Sequence, residues 1–397
     1  MFDFFEFFAG GGMARLGLGE RWNSTFANDI SSKKAASYLR NFPESRSRFR
    51  VGDVADLAIR DLPGHPDLVW ASFPCQDLSL AGNGAGLAGK RSGAFWPFWS
   101  AVCGLKREGR GPTAVVVENV PGILTSHGGT DFQSLVRVIS DAGFLVGALT
   151  MDAIHFLPQS RPRVFLVAVS QDSRLPQGLH MPIAAGMAHS SIWRSEALRA
   201  ACHAFPAEQR QKWIWWRVPE PAQRRTELED LLEPDRAVPW SSAAATSKLL
   251  AMMSPLNRDK VRDAQGINAR ITGCVYKRTR DGQQRAEVRF DGVSGCIRTP
   301  GGGSSRQTIL QVHGGMVRSR LLSAREAARL MGLPDAYTLP ENYNDAYHLA
   351  GDGLAVPVVS WLERHLLAPL MQEQLSPLKP SVFLPQHLVP YGSVLRD

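Results

Sequence analysis

Apolar positions in the first 170 residues follow two rhythms. Short runs have the length and the aromatic or β-branched content of strands: "FDFFEFFA" from Phe2, "STFAND" from Ser24, "DLVWASF" from Asp67, "TAVVVENV" from Thr113 and "RVFLVAV" from Arg163. Between them, "MARLGLGERW", "SSKKAASYLRNF" and "FQSLVRVISDAGF" carry apolar residues at helical spacing, the second with Ser31 or Ser32 as N-cap and the third ending near Gly143. The unbroken valines of "TAVVVENV" suit a strand covered on both faces, as in a parallel sheet. Alternation of this kind predicts an α/β fold with a mostly parallel sheet over residues 1–172.

The rhythm fades over residues 173–314, where Arg, Trp, Pro and Gly are frequent, and this span reads as a smaller, irregular second domain. Helical spacing returns in "LLSAREAARLMGLP", with Ser323 and Glu326 at the separation of a capping box, and "GDGLAVPVVSWLERHLLAPL" reads as a loop entering a helix. Residues 315–370 are therefore expected to close the first domain, and the Pro-rich stretch 371–397 to form an extended tail.

Composition narrows the setting. The chain has 397 residues, 45 Lys+Arg against 37 Asp+Glu, and a formal charge of +8, which is compatible with a polyanionic partner. The five cysteines (Cys75, Cys103, Cys202, Cys274 and Cys296) form no C-x-x-C pair, and their odd number is no disulfide framework; they read as free thiols of a reducing compartment. The apolar N-terminus is acidic and lacks the basic start of a signal peptide, and no long uncharged apolar run suggests a membrane span. A cytoplasmic protein is expected.

Four segments carry chemistry. "FFAGGG" lies between a strand and a helix, where glycines let a ligand approach the backbone and the helix offers unpaired N–H groups. Gly10 and Gly12 fit a dinucleotide turn, but Arg15 stands where a third glycine would. Asp29, 17 positions after Gly12, and Asp53 both end strands, where carboxylates suit a ribose and an adenine amino group; for each alone, a solvated turn residue is the plainer reading. In "ASFPCQDLSLAGNG", Cys75 follows Pro74, has Gln76 and Ser79 beside it, and opens a segment with Gly82, Gly84, Gly86 and Gly89 that suits a lid; a buried inert thiol is the plainer reading. "VVVENVPG" puts Glu118 at a strand end, as a solvated turn or as a desolvated proton donor. "LPQSRPRVFLVAV" places Gln159, Arg161 and Arg163 on alternate positions and hence on one face, as an anion or carbonyl clamp or as a charged strand edge.

Together and in this order, these segments resemble the DNA (cytosine-5) methyltransferases. "FFAGGG" looks like that family's cofactor motif, "FPCQ" its nucleophile motif, "ENV" its Glu-Asn-Val motif and "QSRPR" its Q-x-R-x-R motif. "LLSAREAARLMGLPD" is similar to the helix after its target recognition region, and "GDGLAVPV" to its closing motif. The similarity covers roughly residues 1–170 and 318–368. It implies a Rossmann-like, S-adenosylmethionine-dependent methyltransferase core with a target recognition domain at 173–314. Cys75, Glu118, Arg161 and Arg163 would be catalytic. Phe8, Ala9, Gly10, Gly12, Asp29, Asp53, Val54, Pro74, Phe95 and Asp352 would hold the cofactor. Gln76, Ser79, Gln159, Arg298 and Arg306 would face DNA. No metal is implied.

One departure stands out: the closing motif usually begins Gly-Asn, and here it is Gly351-Asp352, an acceptor where a donor is also expected. Basic residues mixed with tryptophans in the second domain (Lys212, Trp213, Trp215, Trp216, Arg217, Arg224 and Arg225, then Lys277, Arg278, Arg280, Arg285 and Arg289) suit phosphates and guanines, while the tryptophans themselves read as core. The expectation is a monomer acting on double-stranded DNA, bacterial or phage-encoded, with a cognate restriction endonuclease but no stable complex. An RNA cytosine methyltransferase is the alternative, disfavoured by the Arg-rich insertion, and a non-catalytic DNA-binding regulator is disfavoured by the intact reactive residues.

Overall fold

Seven strands build the central sheet: β1 (Phe2–Phe7), β2 (Trp22–Asp29), β3 (Phe49–Val51), β4 (Leu68–Ala71), β5 (Ala114–Asn119), β6 (Phe144–Asp152) and β7 (Pro162–Ser170). They lie in the order β3-β2-β1-β4-β5-β7-β6 in the computed structural model, which describes residues 1–74, 92–188, 191–280, 282–299 and 306–376. β1 through β5 pair in parallel, and β7 runs antiparallel to both β5 and β6. The sheet is thus mostly parallel, as expected. Its order reverses between β1 and β4, which leaves a crevice at the carboxyl ends of those two strands, where open α/β sheets bind ligands.

Successive residues of each strand face opposite sides of the sheet. Phe4, Leu68, Trp70, Ala114 and Val116 belong to one core, with Met13, Leu18, Leu330, Val359 and Leu362. Phe5, Phe7, Val69, Ala71, Val115 and Val117 belong to the other, with Phe95, Phe98, Val102 and Leu135. Each such side chain, fully buried, contributes roughly 1.5–3 kcal/mol, so a strand apolar on both faces is stable only when covered twice. Helices α1 (Met13–Leu18) and Val356–Leu362 cover the first face; α3 (Phe95–Arg107) and α4 (Thr130–Asp141) cover the second, and α2 (Ser32–Asn41) packs through Tyr38 against Ala27 and Phe49. Ser31 is the cap of α2, accepting from Lys34 N, and the Ser323–Glu326 capping box forms as the spacing requires.

The closing segment returns to the first half. Gly17 lies so near Val359 that an added Cβ would stand 2.4 Å from that side chain. Buried Glu363 accepts two bonds of 2.8 Å from Arg21 and one of 3.1 Å from Trp22 Nε1.

Three features depart from the sequence reading. β6 has no counterpart among the strands expected from the sequence, because Gly147 and Thr150 interrupt its apolar run. The segment from 371 is not an extended tail at its start: helix Ala368–Leu375 continues there with Leu370 and Met371 buried, and residues 377–397 lie outside the described residues. Packing also divides the span 173–314. Leu198, Cys202, Phe205, Trp213 and Trp215 join the core of the large sheet, with Val146 bridged to Trp213, so these tryptophans are core residues. A separate antiparallel sheet in the order β11-β10-β12-β13 comprises β10 (Ile271–Arg280), β11 (Gln283–Arg289), β12 (Thr308–His313) and β13 (Met316–Leu321). A short pair, β8 (His180–Met181) and β9 (Trp215–Trp216), precedes it. Because β13 pairs with β12 along its whole length, the small sheet runs past residue 314. Among the described residues, no helix is long and apolar enough to cross a membrane.

Candidate active site

The glycine turn sits at the carboxyl end of β1, on the crevice. Phe8, Gly10 and Gly12 all have positive φ (58°, 57° and 78°), a conformation that is costly for Phe8 and easy for the glycines. Gly10 donates its N–H to Asp29 Oδ2 at 2.8 Å, and Ser31 donates to Asp29 Oδ1 at 2.8 Å, so the carboxylate ending β2 joins the turn to the start of α2. Ala9 N bonds Asn28 O at 2.9 Å. Beneath the turn the backbone is tightly packed: a Cβ on Gly11 would lie 2.7 Å from the Tyr337 hydroxyl, which donates to Gly11 O at 2.7 Å. Above Gly10 no atom of the described residues lies within 4 Å of such a Cβ. A closed floor and an open roof fit a ligand laid over the turn.

Asp53 is exposed past β3 and accepts from Ala55 N at 2.9 Å, while Val54 beside it is buried. Pro74 is exposed at the end of β4, where Asn119 Nδ2 holds Phe73 O at 3.2 Å. Phe95, in contrast, has no exposed surface; it packs on Phe73 and stacks on Trp99, and so supports this wall from behind. Cys75, Gln76 and Ser79 lie in the span 75–91, outside the described residues.

Glu118 ends β5 beside the crevice and is buried, with its Oε1 3.0 Å from Arg163 Nε on β7. Arg161 behaves differently from Arg163. Its buried guanidinium donates to Ile297 O (2.8 Å), Gly351 O (2.9 Å) and Gly353 O (2.6 Å), and contacts Cys296 Sγ at 3.4 Å. Burial, and then Arg163 nearby, push its pKa below the usual value. Arg161 therefore binds three chain segments together, whereas Arg163 pairs with Glu118. Burial would raise the Cys296 thiol, but Arg161, Arg163 and Arg298 outweigh it and bring the thiol down to about 7.

Two residues assigned to DNA need correction. Gln159 has no exposed surface: Nε2 donates to Leu330 O at 2.6 Å and Oε1 accepts from Ile297 N at 3.2 Å, which leaves the amide structural. Arg306 is turned back onto the helix Tyr343–Asp352, bonded to Asn344 and lying over the Tyr343 ring at 5.2 Å. Arg298 is exposed, as a DNA contact requires. Asp352 accepts from Lys34 Nζ at 2.7 Å and from the Thr299 hydroxyl. Burial works against its charge, yet Lys34 and these bonds hold the carboxyl below the ordinary range, so it is ionised at neutral pH.

Sequence reasoning missed Glu6, Lys34, Thr299 and Cys296. Only Glu6 left a signal, as one acid inside an aromatic strand. It is buried under the turn, accepts from the Tyr38 hydroxyl at 3.3 Å, and is pushed up to about 8 by burial, which outweighs the opposing effects of Arg15 and Tyr38. Arg15, at the place of the missing third glycine, lies over Phe42 at 4.3 Å and pairs with Glu44.

The family model of the C-5 cytosine-specific DNA methylases matches residues 2–367. The Type II methyltransferase M.HaeII of Haemophilus aegyptius is 24% identical over 360 residues, covering 89% of each protein. M.HhaI of Haemophilus parahaemolyticus is 23% identical over 361 residues, covering 90% of this chain and 92% of its own. M2.BsuMI of Bacillus subtilis reaches 35% identity over 163 residues, 41% of this chain and 40% of its own. Among solved structures, the S. pombe Dnmt2 methyltransferase superimposes with a TM-score of 0.58 at 16% identity, over 94% of this chain and 99% of that one, a likeness of fold.

Proposed function

The chain belongs to the C-5 cytosine-specific DNA methylase family and is a DNA cytosine-5 methyltransferase, and on that premise we propose that it methylates a cytosine flipped out of duplex DNA through a covalent bond from Cys75. The observation that carries this reading is the Glu118–Arg163 pair on adjoining strands β5 and β7, the acid buried and the guanidinium partly exposed. A carboxyl and a guanidinium so placed can address one polar edge of a planar base.

The residues at the crevice fit S-adenosylmethionine: Gly10 and Gly12 would let it approach the backbone, Asp29 would hold its ribose, and Asp53 with Val54 its adenine. When bound it supplies an electrophilic methyl group. The protein's part is to make carbon 5 of the base nucleophilic. The Cys75 thiolate adds to carbon 6, and the displaced electron pair moves into the ring. Glu118 holds or supplies the proton at N3, and Arg163 polarises O2 as charge gathers there. Once carbon 5 is methylated, a base takes its proton, the double bond re-forms and the thiolate leaves. A cytosine within the stack cannot offer both ring faces, which is why extrusion is required.

Arg161 enters this scheme as the residue that fixes the loop 296–299 and the end of helix Tyr343–Asp352, and not as a second contact to the base. The DNA-reading surface we propose is the small sheet. Arg278 and Arg285 lie opposite each other on its exposed hairpin, Arg278 over the Tyr276 ring at 4.7 Å. Two like charges in direct opposition favour an anion between them. Relatives named Type II methyltransferases support a role beside a restriction endonuclease in a bacterial or phage-borne system, hence in the cytoplasm.

The test is trapping on duplex DNA carrying 5-fluorocytosine, from which carbon 5 cannot release its substituent as a proton. With S-adenosylmethionine the wild-type chain should form a denaturation-resistant adduct and Cys75→Ser none. An adduct that persists in Cys75→Ser would end the assignment of the nucleophile.

A further inference from the structure

Asp352 stands where two parts of the site meet. On one side is α2, whose N-terminus is tied by Asp29 to the Gly10 turn. On the other is the loop 296–299, which carries exposed Arg298 and sets Cys296 beside Arg161 and within the field of Arg163. The last turn of helix Tyr343–Asp352 lies directly on that loop: a Cβ on Gly351 would be 2.7 Å from Thr299 N and 2.8 Å from the carbonyl carbon of Arg298. Arg161 locks this contact from within through Ile297 O, Gly351 O and Gly353 O. From outside, Asp352 takes the Thr299 hydroxyl on one oxygen and Lys34 Nζ, at 2.7 Å, on the other.

We infer that Lys34 and Asp352 are a matched pair of positioning residues that join the cofactor turn to the DNA-facing loop, Lys34 being required because residue 352 is an acid. The inference rests on the reading under Proposed function. An ionised carboxylate can only accept, so it turns the Thr299 hydroxyl toward itself and fixes the loop. The same negative charge, beside a loop that meets DNA, would repel phosphates. Lys34 cancels it in place. A neutral amide at 352 would need no such partner, and Lys34 would then face no counter-charge there. Each residue therefore makes sense only with the other.

A double-mutant cycle on the full chain tests this, with Lys34→Met, Asp352→Asn and both together assayed for kcat and for KM of DNA and of S-adenosylmethionine. Each single change should raise KM for DNA by roughly tenfold with a smaller effect on kcat, and the double variant should recover to within about threefold of wild type. The Lys34→Met deficit should also shrink as salt is raised, because an uncompensated charge is screened. A double variant as poor as the product of the two single losses would overturn the pairing, as would an unchanged KM for DNA in Lys34→Met. Failure of the wild-type chain to methylate DNA would instead refute the underlying reading. The pair is then judged on melting temperatures of the four proteins, where additive losses refute it and a recovered double variant supports it.

Discussion

Arg163 Nε lies 3.0 Å from Glu118 Oε1, across two antiparallel strands whose register pairs Asn119 with Val164 and Glu118 with Phe165. The sheet itself thus sets the separation of the acid and the cation, and neither depends on a loop for its place. Glu118→Gln keeps the size and the packing but cannot supply a proton as the acid does. Single-turnover methyl transfer should slow by about a hundredfold to ten-thousandfold, with the melting temperature little changed. An unchanged rate would remove Glu118 from proton handling.

Arg161→Met tests a different role. The substitution leaves the buried carbonyls of Ile297, Gly351 and Gly353 without their donor. Each such loss costs about 1–3 kcal/mol, so a fall in melting temperature should accompany any loss of activity. Full stability with lost activity would return Arg161 to direct catalysis.

The glycine turn tolerates no side chain at Gly12, where φ is 78° and a Cβ would stand 2.6 Å from the Phe42 ring. Gly12→Ala should cost about 1–3 kcal/mol of stability and weaken S-adenosylmethionine binding, both readable by calorimetry. Wild-type affinity in this variant would mean that the turn is not the floor of the cofactor site.

Glu6 gives the protein a pH dependence of definite sign. The ordinary carboxyl titrates at 4.5 and Glu6 in the fold at about 8, so between those values the native state holds a proton that the unfolded chain releases. Stability from this group is full below 4.5 and is lost as the pH rises to about 8. Arg15, Tyr38 and Asp29 act on the carboxyl and oppose or assist this shift without reversing it. Glu6→Gln should remove the dependence, so its melting temperature should gain on wild type from about pH 5 to about pH 8. Parallel melting curves across that range would contradict the assignment.

What the sequence made legible was what local pattern controls. Valines in β5, the Ser31 cap and the Ser323–Glu326 box each follow from neighbouring residues, and each forms. Glu118, Arg163, Asp29 and the glycines were readable because turns and strand ends leave fixed signs. The partners of Arg161, Gln159 and Asp352 were not, since they lie between 53 and 318 positions away and are chosen by packing. Periodicity could say that Arg161 and Arg163 share a face, but not that one would be spent on backbone carbonyls. The boundary near 172 misled for a related reason: Trp213 and Trp215 look like part of an irregular insertion, yet the apolar edge of β6 captures them.

On the proposed reading, Cys75 is the residue by which this chain marks cytosine in duplex DNA. Bisulfite sequencing of plasmid DNA from cells expressing the wild-type chain and Cys75→Ser tests it most directly. Protected cytosines in one defined sequence context are expected with the wild type and none with the variant. Protection that is absent from both, or the same in both, would contradict it.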